Sequence, residues 1–435
     1  MSPRKYRQNK NSFSGYLSDV WYNFRSRSSR RFALWLAVQL EYSYVYYKTK
    51  HFLKWWRTFF RIISNRPDIV GFSCYIWSVT DSVRMAKLIK LLMPGTVIVF
   101  GGQEVTNIDG DFFREHPYVD FAVDGEGEDT FVEFLKRFLK TPAGAITDIP
   151  GLASKNSVPA ASRGPITDLS SIPSAYINHR DDPRLLSKLR KSSLGCMIES
   201  ARGCPFKCTF CFESNRFKTV RHFPNTRIAN EIIGMSFFGI KKFHILDPVL
   251  CNSNLKRLKS LVDIIKKASA GGGIEISVEI YAELLKKEML GHLTVFSAFD
   301  VGLQSYNPYV LKKIRRYFNA KDFERGVNLL KTLDRNISVY LIYGLPGETY
   351  FSFIKSMKYA AGLKPTNLFL NMLCVLQGTP MRKEAAKDRL EFSIDPPYYI
   401  KSTSTINSSE MRLLEAYSVS FMKEYAAYQK RGANA

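Results

Sequence analysis

The chain has 435 residues, 45% of them hydrophobic and 23% charged. That is enough apolar material for more than one buried core, so disordered and fibrous classes are excluded. No run of about 18 uncharged apolar residues occurs, so no spanning helix is expected. The polar, basic start of the chain lacks the apolar centre of a secretion signal. Seven cysteines are too few for a disulfide scaffold. A reducing, cytoplasmic setting follows, and clustered cysteines are read as metal ligands first.

The net charge of +24 is unevenly placed. Residues 1–66 hold 14 Lys/Arg against Asp19 and Glu41, together with Trp21, Trp35, Trp55 and Trp56. Interleaved basic and aromatic side chains suit an anionic partner: an acidic peptide, RNA, or a membrane surface touched peripherally. They equally suit an arm folded over the body with its aromatics buried. Phe32–Ile63 is expected to be helical.

Residues 67–142 alternate short apolar strands (Asp68–Cys74, Thr96–Phe100, Val119–Val123) with amphipathic helices (Asp81–Met93, Thr130–Leu139). The alternation predicts a parallel, doubly wound α/β sheet. Ligands of such sheets bind beyond the carboxyl ends of strands, where Gly101, Gly102 and Gly125 fall. Residues 143–193, rich in Pro, Ser, Gly and Asp, are expected to be an irregular linker. Residues 194–400 alternate again. Strands are expected at Gly195–Ser200, Lys242–Asp247, Ile274–Ile280, Phe296–Gly302, Ser338–Tyr343 and Leu368–Val375. Helices are expected at Thr226–Phe238, Asn254–Ala270, Ala282–Leu290, Pro308–Arg316, Ala320–Leu333 and Tyr350–Ala361. Six βα units suggest a partial barrel. Residues 401–435 close the chain with a helix, Ser408–Lys430.

The strongest chemical signal is Cys204, Cys208 and Cys211 in GCPFKCTFC, directly after the first barrel strand. Three soft thiolates at this spacing select an iron–sulfur cluster or zinc. A structural zinc site needs four protein ligands, and no fourth is local; the nearest others are Cys196 and His222. Three ligands on a four-iron cluster leave one iron open, which marks a reactive centre. Its place at a strand's carboxyl end agrees with where barrel active sites lie.

GCPFKCTFC resembles the signature of the radical S-adenosylmethionine (radical SAM) superfamily. The resemblance extends over roughly residues 190–400. It implies that Cys204, Cys208 and Cys211 hold a [4Fe-4S] cluster whose open iron binds the methionine part of S-adenosyl-L-methionine. One-electron reduction, from a donor such as flavodoxin or ferredoxin, then yields a 5′-deoxyadenosyl radical. It further implies that Phe210 packs near the adenine. DVGLQSYNP (Asp300–Pro308) would place Gln304 and Ser305 in the barrel mouth, near the ribose or the substrate. YGLPGET (Tyr343–Thr349, with Gly344) would be the turn that shapes the adenine pocket, and VLQGTPM (Val375–Met381) the sixth-strand turn. Asp247, ending FHILDP, would meet the cofactor's amino group, and Glu279, ending ISVEI, its ribose hydroxyls; strand-end polar groups in such barrels face the site.

PDIVGFSCYIW, IVFGGQEV and VDFAVDGEGE resemble the cobalamin-binding domain that precedes the barrel in one radical SAM group. The usual first strand and helix of that domain are not recognisable here, and no histidine sits in a D-x-H-x-x-G context. The function expected is modification of a small natural product or peptide, with C-methylation if cobalamin binds. An RNA-modifying enzyme and a non-catalytic scaffold are the alternatives.

Overall fold

The computed structural model describes residues 52–435, apart from short stretches within 106–111, at 142–144, 156–160 and 218, within 249–254, at 270–272 and at 434–435. Most of the basic arm, with Trp21 and Trp35, lies outside the described residues. The described chain divides into two compact units, one ending at Pro165 and the other beginning at Ile166.

In the first unit, strands β1 (Ile69–Ser73), β2 (Val97–Gly101) and β3 (Phe121–Val123) pair in parallel. Side chains alternate between faces along a strand, and β2 buries both sets. Ile98 and Phe100 enter one core, while Val97 and Val99 enter a second core with Phe134 of the helix Gly127–Phe138. That double burial is why the strand reads as an unbroken apolar run. The first core is covered by the helix Val79–Leu92, through Met85, Ala86 and Ile89. It is also covered by helical residues 52–65, which lay Trp55, Trp56 and Phe59 against it. Phe59 is therefore a core side chain, with Trp55 and Trp56 partly buried against it, while Phe52 and Phe60 stay exposed.

The stretch expected to be an irregular linker is more ordered. Leu152–Ser154 forms β4, antiparallel to β3. Pro183–Lys191 is a helix capped by Asp182, whose carboxylate accepts from the Arg184 and Leu185 amides.

The second unit is an open α/β barrel. Strands β5 (Cys196–Glu199), β8 (Lys242–Leu246), β9 (Glu275–Ile280), β10 (Ala298–Gln304), β11 (Asn336–Tyr343) and β12 (Asn367–Met372) pair in parallel in that order. Between β5 and β8 lies a small antiparallel ribbon, β6 (Ala201–Arg202) with β7 (Arg221–His222). After β12 comes another, β13 (Glu391–Phe392) with β14 (Ile400–Ser402), and then the helix Ser408–Ala433. One face of the large sheet packs on the helices through fully buried Val278, Phe299, Val301, Val339 and Leu341. The other parity, including Ser277, Asp300, Ser338 and Tyr340, lines a cavity in the lumen.

One expected helix is absent. Ala282–Leu290 instead forms two 3₁₀ turns, Ala282–Leu284 and Lys287–Met289, with extended backbone at Leu285 and Lys286 between them. The apolar spacing was real, since Ala282, Leu285 and Met289 are buried. The segment is instead packed against the helix Ala320–Lys331, whose Gly326 comes up against the Ala282 carbonyl.

Candidate metal centre

Cys204, Cys208 and Cys211 lie on the loop between β6 and β7, just beyond the carboxyl end of β5. The loop is held at several points. Gly203 has φ +88°, and a Cβ there would run into the Thr219 carbonyl, so only glycine fits. Its amide donates to Glu213 Oε1 at 2.6 Å. Ser214 Oγ donates to the carbonyls of Cys208 (2.9 Å) and Cys211 (3.2 Å). The Thr209 amide donates to the Ile314 carbonyl at 2.9 Å, and the Thr209 carbonyl accepts from Met381 at 3.0 Å. The loop is thus stitched to segments following β10 and β12.

Cys204 and Cys208 are buried and Cys211 is half-buried. Burial pushes the Cys204 thiol up to about 11, and each neighbouring thiol adds to the rise. Burial also raises Cys208, opposed by the guanidinium of Arg316. Thiolates here are costly unless a positive centre binds them, which is the environment of a metal ligand rather than of a free nucleophile. Among the described residues no three His, Cys, Asp or Glu side chains stand close enough to grip one ion. A cluster asks less: each of its irons takes its own thiolate.

Four side chains beside the loop have no counterpart among the sequence-based candidates. Tyr281, one residue beyond β9, stands beside the Cys208 thiol and stacks on Phe206 with centroids 4.2 Å apart. Arg316 lies over the Tyr281 ring at 3.9 Å and faces Glu283 at 3.6 Å; the two side chains are 3% and 0% exposed. Arg316 Nη2 donates to the Gly302 carbonyl at 2.5 Å, but Nε and Nη1 are buried without a hydrogen-bond partner, as are both oxygens of Glu283. A buried guanidinium whose Nε and Nη1 lack hydrogen-bond partners, next to the thiols, has the donor geometry that suits a carboxylate. The residues present therefore fit a cluster together with an amino-acid-bearing cofactor. Tyr281 could have been suspected from its strand-end position. Arg316 was hidden in the run Lys312, Lys313, Arg315, Arg316, which reads as surface charge.

The sequence-based candidates fall in different places. Phe210 is half-buried between Thr209 and Cys211. Gln304 ends β10 with φ +69°, at a bulge where its amide lies over Gly302. Glu279 stands in the concave wall, open to water yet surrounded by protein. Its carboxyl is raised by desolvation, with His244 opposing and Asp300 adding to the rise. Two placements need correction. Ser305 does not face the mouth: it is fully buried and donates to Glu348 Oε1 at 2.8 Å. Asp247 offers no free acid, because Arg257 pairs with it at 2.7 Å and Ser200 donates to it at 2.7 Å. Gly344 is buried under Ile400 and Met411 with φ +85°, so close packing requires it there.

At the carboxyl ends of the first unit's strands, Gly102 has φ +114° and a Cβ there would lie 2.7 Å from the Cys74 carbonyl oxygen. Tyr75 and Trp77 stack with centroids 4.9 Å apart, and Trp77 is 74% exposed. A tight glycine turn beside an exposed flat apolar surface fits a large planar ligand at this end of the sheet.

Comparison with known proteins agrees with both units. Residues 198–360 match the Radical SAM superfamily and residues 55–135 match the B12 binding domain. The chain is 29% identical over 306 residues to the cobalamin-dependent radical SAM methyltransferase TokK of Streptomyces tokunonensis, covering 66% of this chain and 44% of TokK. It is 32% identical over 304 residues to the 2-(S-pantetheinyl)-carbapenam-3-carboxylate methyltransferase of Streptantibioticus cattleyicolor, again covering 66% and 44%. The chain thus spans less than half the length of these relatives. The same fold is seen in the radical S-adenosylmethionine methyltransferase TsrM of Kitasatospora setae (TM-score 0.62, 20% identity, 76% of this chain and 68% of that one). It is also seen in the cobalamin-dependent radical enzyme OxsB (TM-score 0.63, 15% identity, 82% and 58%). The chain belongs to the radical SAM superfamily, in the group that carries a B12-binding domain ahead of the radical SAM domain.

Proposed function

We propose that the chain is the catalytic part of a cobalamin-dependent radical SAM methyltransferase that methylates a carbon of a small natural product. The observation that carries this reading is the set of three cysteines, two buried and one half-buried, beside a guanidinium with two nitrogens that lack a hydrogen-bond partner. The two methyltransferase relatives give the reaction type.

Cys204, Cys208 and Cys211 would hold the [4Fe-4S] cluster. Arg316 would bind the carboxylate of the S-adenosylmethionine, with Glu283 balancing its charge. Gln304 and Glu279, both on the lumen side, would hold polar groups of the same cofactor. Phe206 and Tyr281 form an aromatic wall that keeps water from the thiols. Gly102 lets the backbone approach a corrinoid at the sheet edge. When bound, these cofactors supply one-electron cleavage of the sulfonium and a transferable methyl group. A one-electron donor of the flavodoxin or ferredoxin class completes the requirement.

The test is anaerobic purification with iron, sulfide and cobalamin supplied. Cluster and corrinoid absorbance should both appear, with S-adenosylmethionine cleaved on reduction. Cys204→Ala, Cys208→Ala and Cys211→Ala should each lose the cluster band and the cleavage. A variant that keeps both removes the assignment.

A further inference from the structure

The surface around the cysteine loop carries a one-sided charge. Thr209, between Cys208 and Cys211, ties the loop to the segments that follow β10 and β12. Its amide donates to the Ile314 carbonyl, and its carbonyl accepts from the Met381 amide. Those two segments also hold each other, through Arg315 with Glu384 at 3.1 Å and Lys313 with Asp388 at 2.7 Å. Residues 205–211, 312–317 and 381–389 are thus neighbours at the carboxyl end of the barrel.

Six cations of these segments are exposed: Lys207, Lys312, Arg315, Lys383, Lys387 and Arg389. The acids within the same stretches are Glu384 and Asp388, and both are taken by the ion pairs just named. Among the described residues no acidic side chain pairs with the other five exposed cations. Pro205 and Tyr317, the latter 51% exposed, set apolar surface among them. Unpaired cations around a little apolar surface attract an acidic protein, and they speed the encounter more than they tighten the complex. Single-stranded RNA is served less well, since it needs a row of stacking rings. Here Tyr317 is exposed, while Phe206 and Phe210 are half-buried.

The position of the patch says what an acidic partner would do there. Lys207 directly precedes Cys208, and Thr209 carries the hydrogen bonds that join the three segments. A protein seated on these cations stands within a few residues of the thiols. We propose that the patch is the docking face for an acidic one-electron carrier protein. The carrier is oxidised by one electron and the cluster held by Cys204, Cys208 and Cys211 is reduced by one; no atom or proton is transferred. The assignment rests on the catalytic reading above and adds the face on which the chain meets its reductant.

The test is the affinity of a purified flavodoxin, in its stable oxidised form, for the full chain at low salt. The double variant Lys383→Glu, Lys387→Glu is set against Lys266→Glu, Lys267→Glu. The second pair lies in the last turn of the helix Leu255–Ser269. That helix runs back from the carboxyl end of β8, so the pair lies at the opposite end of the barrel. All four lysines are exposed, and both variants change the net charge equally. The native chain and the Lys266/Lys267 variant should bind alike, and the Lys383/Lys387 variant at least tenfold more weakly, a difference that shrinks in high salt. Equal binding by the two variants, or no binding by the native chain, overturns the proposal. So does a mixed-sequence single-stranded RNA that binds the native chain more tightly than flavodoxin does and is lost in the Lys383/Lys387 variant. The measurement needs no cluster. Cleavage of S-adenosylmethionine driven by dithionite reads the catalytic proposal separately. The Lys383/Lys387 variant should match the native chain with dithionite and lag with reduced flavodoxin; equal rates with flavodoxin overturn the docking face. Selective flavodoxin binding without dithionite-driven cleavage would defeat the catalytic reading and uphold the docking face.

Discussion

Arg316 and Glu283 form a buried pair whose polar atoms are mostly unmet. Such an arrangement costs several kcal/mol unless a ligand completes it. Arg316→Gln should weaken S-adenosylmethionine binding at least tenfold. It should also lower stability by ~3 kcal/mol, because Glu283 is left without its cation. Equilibrium dialysis and the urea midpoint read the two effects, and unchanged affinity would remove Arg316 from the carboxylate's site. Glu348 is a second buried acid. Desolvation pushes its carboxyl up to about 8, only partly offset by the Ser305 hydroxyl. The folded chain therefore binds a proton there that the unfolded chain has already released. Stability should fall as pH rises from the ordinary carboxylate range to about 8, by up to about 1.4 kcal/mol per pH unit. Glu348→Gln should flatten that slope in denaturation curves taken between pH 5 and pH 8; an unaltered slope would mean that Glu348 is ionised in the fold. Neither residue was legible as special in the sequence. An arginine in a basic run and a glutamate in a turn motif acquire their properties only from what surrounds them.

At the scale of elements, an added methyl has opposite consequences at two glycines. Gly326 sits inside the helix Ala320–Lys331, where replacing glycine by alanine ordinarily stabilises by up to about 1 kcal/mol. Here the added Cβ would strike the Ala282 carbonyl, a backbone atom that cannot swing aside. Gly326→Ala should therefore lower the melting temperature, the reverse of the propensity effect; a rise would show that the 3₁₀ turn yields easily. Gly302 faces the amide of Gln304 across the β10 bulge. A methyl there would push a flexible side chain, so Gly302→Ala should displace Gln304 and spare the fold. The barrel strands were legible to within about three residues, because unbroken apolar runs flanked by turn residues mark buried parallel strands. The segment after β9 was misread as a helix. Its buried Ala282, Leu285 and Met289 have helical spacing, and spacing does not register a neighbouring helix pressing on the turn.

On the scale of the whole molecule, two units each carry a separable spectroscopic signature in the proposed function. Gly102→Val would drive a Cβ onto the Cys74 carbonyl at a backbone angle that valine rarely adopts. It should abolish corrinoid retention while the cluster band persists, and simultaneous loss of both bands would show that the effect is global misfolding. The +24 charge was a weaker guide. Trp55 and Trp56, for which the sequence left open either an anionic partner or burial in a folded arm, pack partly buried against the first unit's core, where Phe59 is buried. Among the described residues no helix is long and apolar enough to cross a membrane.

What the sequence determined by itself was the class: the Cys204, Cys208, Cys211 spacing and the alternation of apolar strands with helices are local patterns, readable without knowing which segments meet. What only the tertiary structure decided was which polar side chains face the reaction. Ser305 and Gln304 are neighbours in the chain, yet one is sealed against Glu348 and the other lies at the bulge over Gly302. Asp247 looked available until Arg257, ten residues on, was seen to hold it. Strand twist, bulges and helix packing set side-chain direction, and those depend on partners far away in the chain.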